Sequence, residues 1–192
     1  VYPTFGTTDM RTPAIDIVGA DGSRVLDLRF AHADWLEAKK QPLGLPATRP
    51  SAAQQTLALT MTDPGAGVSV TLYIDADQTY DTFTQHVEIQ NIGARPLHLT
   101  RAMSFSWDLL DDRYQLLTLS GAWAREAQPQ MRPLQPGVQG VAAKRGASGH
   151  GQNPFIAVQH DTNKGIVSAN LVYSGDFIAT AEVDMHQNTR LQ

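Results

Sequence analysis

The stretch TFTQHVEIQN, Thr82–Asn91, alternates apolar and polar residues at a period of two. On an extended chain Phe83, Val87 and Ile89 face one side, and the polar residues between them face the other. A strand with one apolar and one polar face is typical of an antiparallel sheet that covers a core with one side only. The stretch therefore predicts a strand of an antiparallel sheet.

Other segments on both sides of this stretch carry the same signal. VTLYIDA at Val70–Ala76 alternates in the same way, and LHLTRAMSFSW at Leu97–Trp107 places five apolar residues on one face, with Arg101 as the exception. We expect Arg101 to pair, or to extend its charged end to solvent. Seven further strands are predicted at Ile15–Val18, Arg24–Asp34, Gln55–Thr62, Leu116–Leu119, Phe155–His160, Ile166–Tyr173 and Phe177–Val183.

Short turn sequences rich in Gly, Asn, Asp and Pro separate these strands. Trp35–Lys40 and Tyr114–Leu117 are compatible with single helical turns, and Gln41–Ser51, with three prolines, predicts an irregular loop. Short strands joined by tight turns predict an all-β fold, a large antiparallel β-sandwich that forms a single domain over residues 1–192.

The composition excludes several classes of protein. Hydrophobic residues make up 42% of the 192, enough for a sizeable core, and the scattered Lys and Arg with a net charge of −4 argue against nucleic acid as a partner. No apolar run reaches the roughly 18 residues that cross a bilayer, so no membrane partner is expected. The chain has no cysteine and no N-glycosylation sequon, which is compatible with the cytoplasmic location that we expect.

The titratable residues do not form a recognised catalytic or metal motif. The six histidines show neither HxH nor HExxH spacing, so we predict no metal site and no cofactor. In WDLLDDRY, Asp108, Asp111 and Asp112 lie within five residues. A glycosidase needs two carboxylates across the scissile bond, but acids so close together at a strand end are more typical of turns and caps. Ser148 and His150 lack a nucleophile-elbow motif.

One loop concentrates polar side chains between glycines. RGASGHGQNPF, Arg145–Phe155, contains three glycines together with His150, Gln152 and Asn153. Asn153 precedes a proline and is therefore restricted to extended geometry. Two interpretations stay open: side chains that contact a ligand or another subunit, as on many loops held by a rigid sandwich, or side chains that cap the loop's own backbone.

A second candidate lies in LSGAWARE, Leu119–Glu126, where Trp123 follows a glycine and an alanine and precedes Arg125. A tryptophan face stacks on the apolar patches of sugar rings, and an arginine donates hydrogen bonds to hydroxyls. The alternative, favoured by composition alone, is a tryptophan in the core or at a sheet edge, paired with the arginine.

At SGAWAREAQPQMRPLQPGVQGVAAKRGASGHGQNPF the chain resembles the N-terminal β-supersandwich domain of the bacterial glycoside hydrolase family 36 α-galactosidases. The resemblance covers nearly the whole chain and departs at Gly149-His150-Gly151, where the family often has Ser-His-Gln, and in ADWLEAKKQP, where a Lys-rich stretch is common. Further segments occur in the family's order: YPTFGTTDMRTPAI at Tyr2–Ile15, DGSRVLDLRF at Asp21–Phe30, GLPAT at Gly44–Thr48 and LVYSGDFIATAEVD at Leu171–Asp184.

The resemblance implies a non-catalytic first domain of a longer enzyme. In the family two aspartates of a central (β/α)₈ barrel perform retaining hydrolysis of terminal α-galactosides of the raffinose and melibiose type. This chain has no alternation of strands and helices, so we expect the barrel downstream in the same polypeptide, no catalytic residue here, and an inactive fragment.

The resemblance also implies that the chain helps to shape the active-site opening for the galactoside and to build a homo-oligomer. The residues assigned to the pocket rim or to an interface are His150, Gln152, Asn153, Trp123 and Arg125. Two other functions stay open, a free-standing carbohydrate-binding module and a structural interaction domain.

Overall fold

The computed structural model describes residues 2–192, which contain strands and turns but no helix. All pairs of neighbouring strands are antiparallel, so the predicted all-β antiparallel fold class is confirmed. Within these residues the strands are β1 Ile15–Gly19, β2 Arg29–Leu36, β3 Gln54–Asp63, β4 Val68–Asp77, β5 Thr82–Asn91, β6 Leu97–Ala102, β7 Trp107–Leu109, β8 Tyr114–Ala122, β9 Arg125–Pro133, β10 Gly137–Ala143, β11 Gln152–His160, β12 Ile166–Asn170, β13 Phe177–Val183 and β14 Thr189–Leu191.

The chain divides into two compact units, a first unit that ends at Ser106 and a second unit, Trp107–Gln192. That residues 1–192 form a single domain stays a prediction. Every sheet belongs to one unit only, so each unit has a core of its own.

The first unit packs a four-stranded sheet, in the order β2-β3-β4-β5, against the pair β1-β6. The period-two pattern of β4 explains the core, because Val68, Val70 and Leu72 are all buried on one face. They belong to one cluster with Ile15 and Ile17 of β1. The opposite face of the sheet carries the polar residues of β3, β4 and β5, and the candidate pocket described below lies on that face.

The second unit contains two four-stranded sheets, in the orders β12-β11-β8-β9 and β10-β13-β14-β7. Strand β11 contacts both β10 and β13, and its residues Ile156 and Val158 are fully buried. Leu116 of β8 is buried beside them. Because β8 and β11 are the central strands of their sheet, the loops at their ends are held on a rigid base.

Three sequence-based expectations about elements are wrong. The predicted strand Leu97–Trp107 is divided, since β6 ends at Ala102 and β7 begins at Trp107 in another sheet; between them Met103 is buried and donates its N–H to Ala14 O at 2.8 Å. Tyr114–Leu117 begins β8 and is not a helical turn, and Trp35 belongs to β2.

Several strand boundaries also differ, and three strands were not predicted. Arg24–Leu28 lies outside β2, β12 ends at Asn170 and not at Tyr173, and residues 152–154, which precede the predicted strand, already belong to β11. The missed strands are β9, β10 and β14. Strand β9 contains Pro129 and Pro133, which lack the N–H of a ladder and are tolerated because β9 is an edge strand.

Candidate functional site

The hairpin of β8 and β9 exposes the tryptophan selected from the sequence. Ala122 pairs with Arg125, so Trp123 and Ala124 form a two-residue turn. Ala124 has a φ of +63°, and its N–H donates to Glu126 Oε1 at 2.8 Å. Trp123 is 84% exposed, which excludes the interpretation as a core tryptophan. A large apolar side chain at the tip of a hairpin is available for contact with a ligand or a partner surface.

Gly121 allows the two strands of this hairpin to approach closely. A Cβ atom at Gly121 would lie 2.3 Å from the backbone oxygen of Arg125 and 3.0 Å from Glu126 Cα, so only glycine fits without a shift of the backbone. The register of β8 and β9 shifts between Ser120 and Ala122 at this point. The bulge sets the direction in which the hairpin tip leaves the sheet.

The loop Arg145–Phe155 is attached to the same end of the sheet as the hairpin tip. Gly121 N–H donates to Gly151 O at 3.3 Å, and Gln152 pairs with Ser120 of β8. The structure thus brings together the two segments that the sequence singled out, Leu119–Glu126 and Arg145–Phe155. His150, which is exposed, lies in the same loop.

Backbone groups at the start of the loop are bonded to the segment before β13. Gly146 N–H donates to Asp176 Oδ1 at 2.7 Å, and Ser148 N–H donates to Ser174 O at 2.8 Å. Both acceptors lie outside the loop, so these bonds fasten the loop to a neighbouring segment, and the interpretation that its own side chains cap its backbone stays a prediction.

Gln152 and Asn153 each carry a buried side-chain oxygen with no hydrogen-bond partner among residues 2–192. The two atoms are Gln152 Oε1 and Asn153 Oδ1. A buried acceptor without a donor costs about 1–3 kcal/mol, so native proteins rarely leave one unpaired. Two such acceptors in neighbouring residues indicate a need for donors that the described residues do not supply.

Two of the three clustered carboxylates, Asp108 and Asp111, make structural contacts. Arg190 Nε donates to Asp108 Oδ1 at 2.8 Å, across the β7–β14 pair. Arg113 and His160 both contact Asp111, and the Arg113 guanidinium together with its backbone N–H holds the pKa of the Asp111 carboxyl well below its usual range. A carboxyl with so low a pKa does not donate a proton near neutral pH, which disfavours a general-acid role.

His160 supports the same structural interpretation. Its Nδ1 accepts the backbone N–H groups of Thr162 and Asn163 at 3.2 and 3.3 Å, while Nε2 lies 3.1 Å from Asp111 Oδ2. The ring thus joins the β11–β12 turn to the segment before β8. Among residues 2–192 there is no group of three or more His, Asp or Glu side chains that could hold a metal ion. No helix within the described chain is long and apolar enough to cross a membrane.

Sequence reasoning missed a buried ion pair in the first unit. Lys39 Nζ lies 2.8 Å from Asp75 Oδ2, and the two side chains are only 4% and 3% exposed. Thr56 and Thr84 donate to Asp75 at 2.7 and 2.6 Å. Burial opposes ionisation of Asp75, but the hydrogen bonds from Lys39, Thr84 and Thr56 outweigh it and lower the pKa of this carboxyl. The sequence did contain one signal of this pair, because Asp75 is an acidic residue on the polar face of the predicted strand VTLYIDA.

Comparison with known proteins identifies relatives along the whole chain. The model of the glycosyl hydrolase family 36 N-terminal domain matches residues 1–192. The α-galactosidase AgaA of Geobacillus stearothermophilus is 38% identical over 99% of this chain and 27% of its own length. A probable α-galactosidase G of Aspergillus terreus is 32% identical over 98% of this chain and 27% of its own length.

A solved structure has the same fold. The crystal structure of a family 36 AgaA variant from Geobacillus stearothermophilus in complex with raffinose matches with a TM-score of 0.95 at 37% identity, over 99% of this chain and 27% of that chain. The relatives include a bacterial and a fungal protein. The chain spans about a quarter of the length of the curated relatives it matches.

Proposed function

Because the chain belongs to the glycosyl hydrolase family 36 N-terminal domain family, we propose that it is the non-catalytic first part of a bacterial, cytoplasmic α-galactosidase that cleaves raffinose- and melibiose-type substrates. The raffinose bound to an AgaA variant supports the substrate class.

The retaining chemistry belongs to the remainder of the polypeptide in this proposal. The clustered acids of this chain are poor candidates, since Asp108 and Asp111 are each bound by an arginine. We expect the 192-residue chain to leave a chromogenic α-galactoside uncleaved. Turnover by a pure sample that disappears in Asp111→Asn would contradict this assignment.

The hairpin tip and the loop Arg145–Phe155, in this proposal, form a rim of the sugar pocket or an interface of the homo-oligomer. The observation that carries the proposal is the pair of unpaired acceptors at Gln152 and Asn153, beside an exposed Trp123. Sugar hydroxyls and the N–H groups of another subunit are both donors, and both fit these oxygens. Arg125, at the base of the turn, adds a cation to the same rim.

The test uses the full-length enzyme with His150→Ala and Asn153→Ala. Loss of one rim hydrogen bond costs about 0.5–1.5 kcal/mol, or up to roughly tenfold in affinity. A contact made equally in the ground and transition states appears in KM. If the loop lies at the rim of the sugar pocket, the variants raise KM for raffinose more than KM for a small aryl galactoside and retain kcat.

The interface alternative gives a different result in the same experiment. There, both substrates are affected equally, and the oligomer dissociates at a higher protein concentration than the wild type. His186→Ala is the matched control, since His186 is an exposed histidine in another turn of the second unit. If both loop variants behave like this control in assembly and kinetics, the loop is only a capped turn and the proposed role is wrong.

A further inference from the structure

A half-open pocket of about 630 Å³ lies on the polar face of the four-stranded sheet in the first unit. Its floor consists of side chains in two rows that cross the sheet in register, Gln54–Asp77–Thr82 on β3, β4 and β5 and Asp75–Thr84 on β4 and β5. Its walls come from the segment between β2 and β3, with Lys39 and Arg49, and from the turn after β4, with Tyr80. The volume lies within the range of about 300–1,000 Å³ that ligand pockets occupy.

The ion pair beneath the pocket is satisfied internally. The Lys39 ammonium contacts Asp75 and also donates to the hydroxyls of Thr48 and Thr84, at 3.0 Å for the latter. An ammonium has three donors, and all three are used. Lys39 and Asp75 therefore hold the segment between β2 and β3 against the sheet and leave the recognition of a ligand to other groups.

Several polar groups around the pocket keep hydrogen-bonding atoms that no partner within residues 2–192 uses. Gln54 Oε1 accepts the N–H of Ser51, but Gln54 Nε2 is buried and has no hydrogen-bond partner among residues 2–192. Asp77 Oδ1 accepts the N–H of Thr79 at 2.9 Å, which leaves the other carboxylate oxygen for a further donor. Arg49 lines the same pocket and is exposed.

The charges in the pocket balance, which selects against charged ligands. Lys39 and Arg49 are opposed by Asp75 and Asp77, so an anion meets two carboxylates and a cation meets two basic groups. The remaining lining is rich in hydroxyls and an amide. Tyr80, which is 72% exposed, adds an aromatic face. A ring with hydroxyls on its edge and C–H groups on its face satisfies a carboxylate, an amide donor and an aromatic surface together.

From this arrangement we propose that the pocket binds a neutral saccharide of one or two glycosyl units. Asp77 accepts hydroxyl protons, Arg49 and Gln54 donate, and Tyr80 covers one face of the ring. This inference does not rest on the role proposed for the loop Arg145–Phe155, because every residue of the pocket belongs to the first unit and the loop belongs to the second.

The test is a titration of the ¹⁵N-labelled 192-residue chain with galactose, sucrose and raffinose, observed by two-dimensional NMR. The side-chain amide of Gln54 gives its own signal and reports directly on its unpaired N–H. We expect a saturable shift of this signal and of the backbone amides of Thr79 and Tyr80. Tyr80→Ala and Asp77→Asn each raise Kd about tenfold or more, because each removes a direct contact.

Two variants in the same unit serve as controls. Phe83→Ala removes a comparably exposed aromatic ring from the opposite face of the same sheet, and Asp34→Asn removes an exposed carboxylate from β2; both keep the wild-type Kd. The inference is wrong if no sugar shifts the Gln54 signal up to its solubility limit. It is equally wrong if the shifts persist in Tyr80→Ala and Asp77→Asn, or if inorganic phosphate produces the same shifts as the sugars.

Discussion

Lys39→Met tests how much the buried pair with Asp75 contributes to stability. Methionine keeps most of the length of the side chain and removes the charge. At 2.8 Å and an effective dielectric constant of about 20, the lost attraction is about 6 kcal/mol. Protonation of Asp75 limits this cost. An unfolded aspartate has a pKa of about 3.9, so neutralising it at pH 7 costs about 4 kcal/mol.

We therefore expect Lys39→Met to lose about 3–4 kcal/mol at pH 7, within the range of about 3–5 kcal/mol for breaking a buried pair from one side. In the wild type the pKa of Asp75 is lowered, so its contribution is complete above the unfolded pKa and is lost as the pH falls through the folded pKa. In the variant the folded pKa lies above the unfolded value, and the protein loses stability as the pH rises. The difference between the two proteins shrinks to about 1.5 kcal/mol at pH 5.

The measurement is urea unfolding, followed by circular dichroism, at pH 5 and pH 7. The control is Arg29→Met, which breaks the exposed pair with Asp27 and leaves the unfolding midpoint nearly unchanged at both pH values, because solvent screens this pair. Lys39→Met/Asp75→Asn removes both charges and recovers most of the loss. A loss below about 1 kcal/mol at pH 7, or an equal loss at both pH values, would refute this account of the pair.

Three other predictions follow from single features of the structure. Gly121→Ala lowers the free energy of unfolding by about 1–3 kcal/mol in urea titrations, because the added Cβ meets backbone atoms of Arg125; Gly149→Ala, where no atom lies within 4 Å of the added Cβ, is its control. The lowered pKa of Asp111 stabilises the fold above the unfolded pKa of about 4, and this stability is lost as the pH falls below it; Asp111→Asn therefore flattens the acid limb of a plot of melting temperature against pH. EDTA leaves the melting temperature unchanged in a thermal scan, since residues 2–192 contain no cluster of metal ligands; a large drop on chelation would contradict this.

Sequence periodicity identified the strands that have one apolar and one polar face. It failed for strands whose two faces do not differ in polarity. Strand β5 runs over Thr82–Asn91, as predicted, because one of its faces packs on the core through Val87 and Ile89. Phe83 belongs to the same face by register but is 70% exposed, since the pattern predicts a face and not how far along the strand the core extends. Strand β9 is exposed along its whole length, so burial imposed no pattern on its sequence.

The sequence identified the residue types of the candidate site, but it did not show which segments lie next to one another, because long-range strand pairing decides that. Nothing local to Lys39 indicates that its partner is an aspartate two strands later, because only the pairing of β3 with β4 and the path of the segment after β2 bring the charges together. Likewise, the loop Arg145–Phe155 meets the hairpin tip only through the β8–β11 register.

The irregular step in that same register explains why Gln152 and Asn153 differ from ordinary capping residues. The pairing of β11 with β8 shifts between Gln152 and Ile156, so the residues between them leave the regular alternation of the ladder. Backbone groups around the step still find partners, as Pro154 O does with Leu171 N–H at 2.9 Å. The side-chain oxygens Gln152 Oε1 and Asn153 Oδ1 have no such partner among residues 2–192. Donors for these oxygens come from outside the described residues or from a local rearrangement, and an ordered water, a ligand or another subunit supplies such a donor equally well.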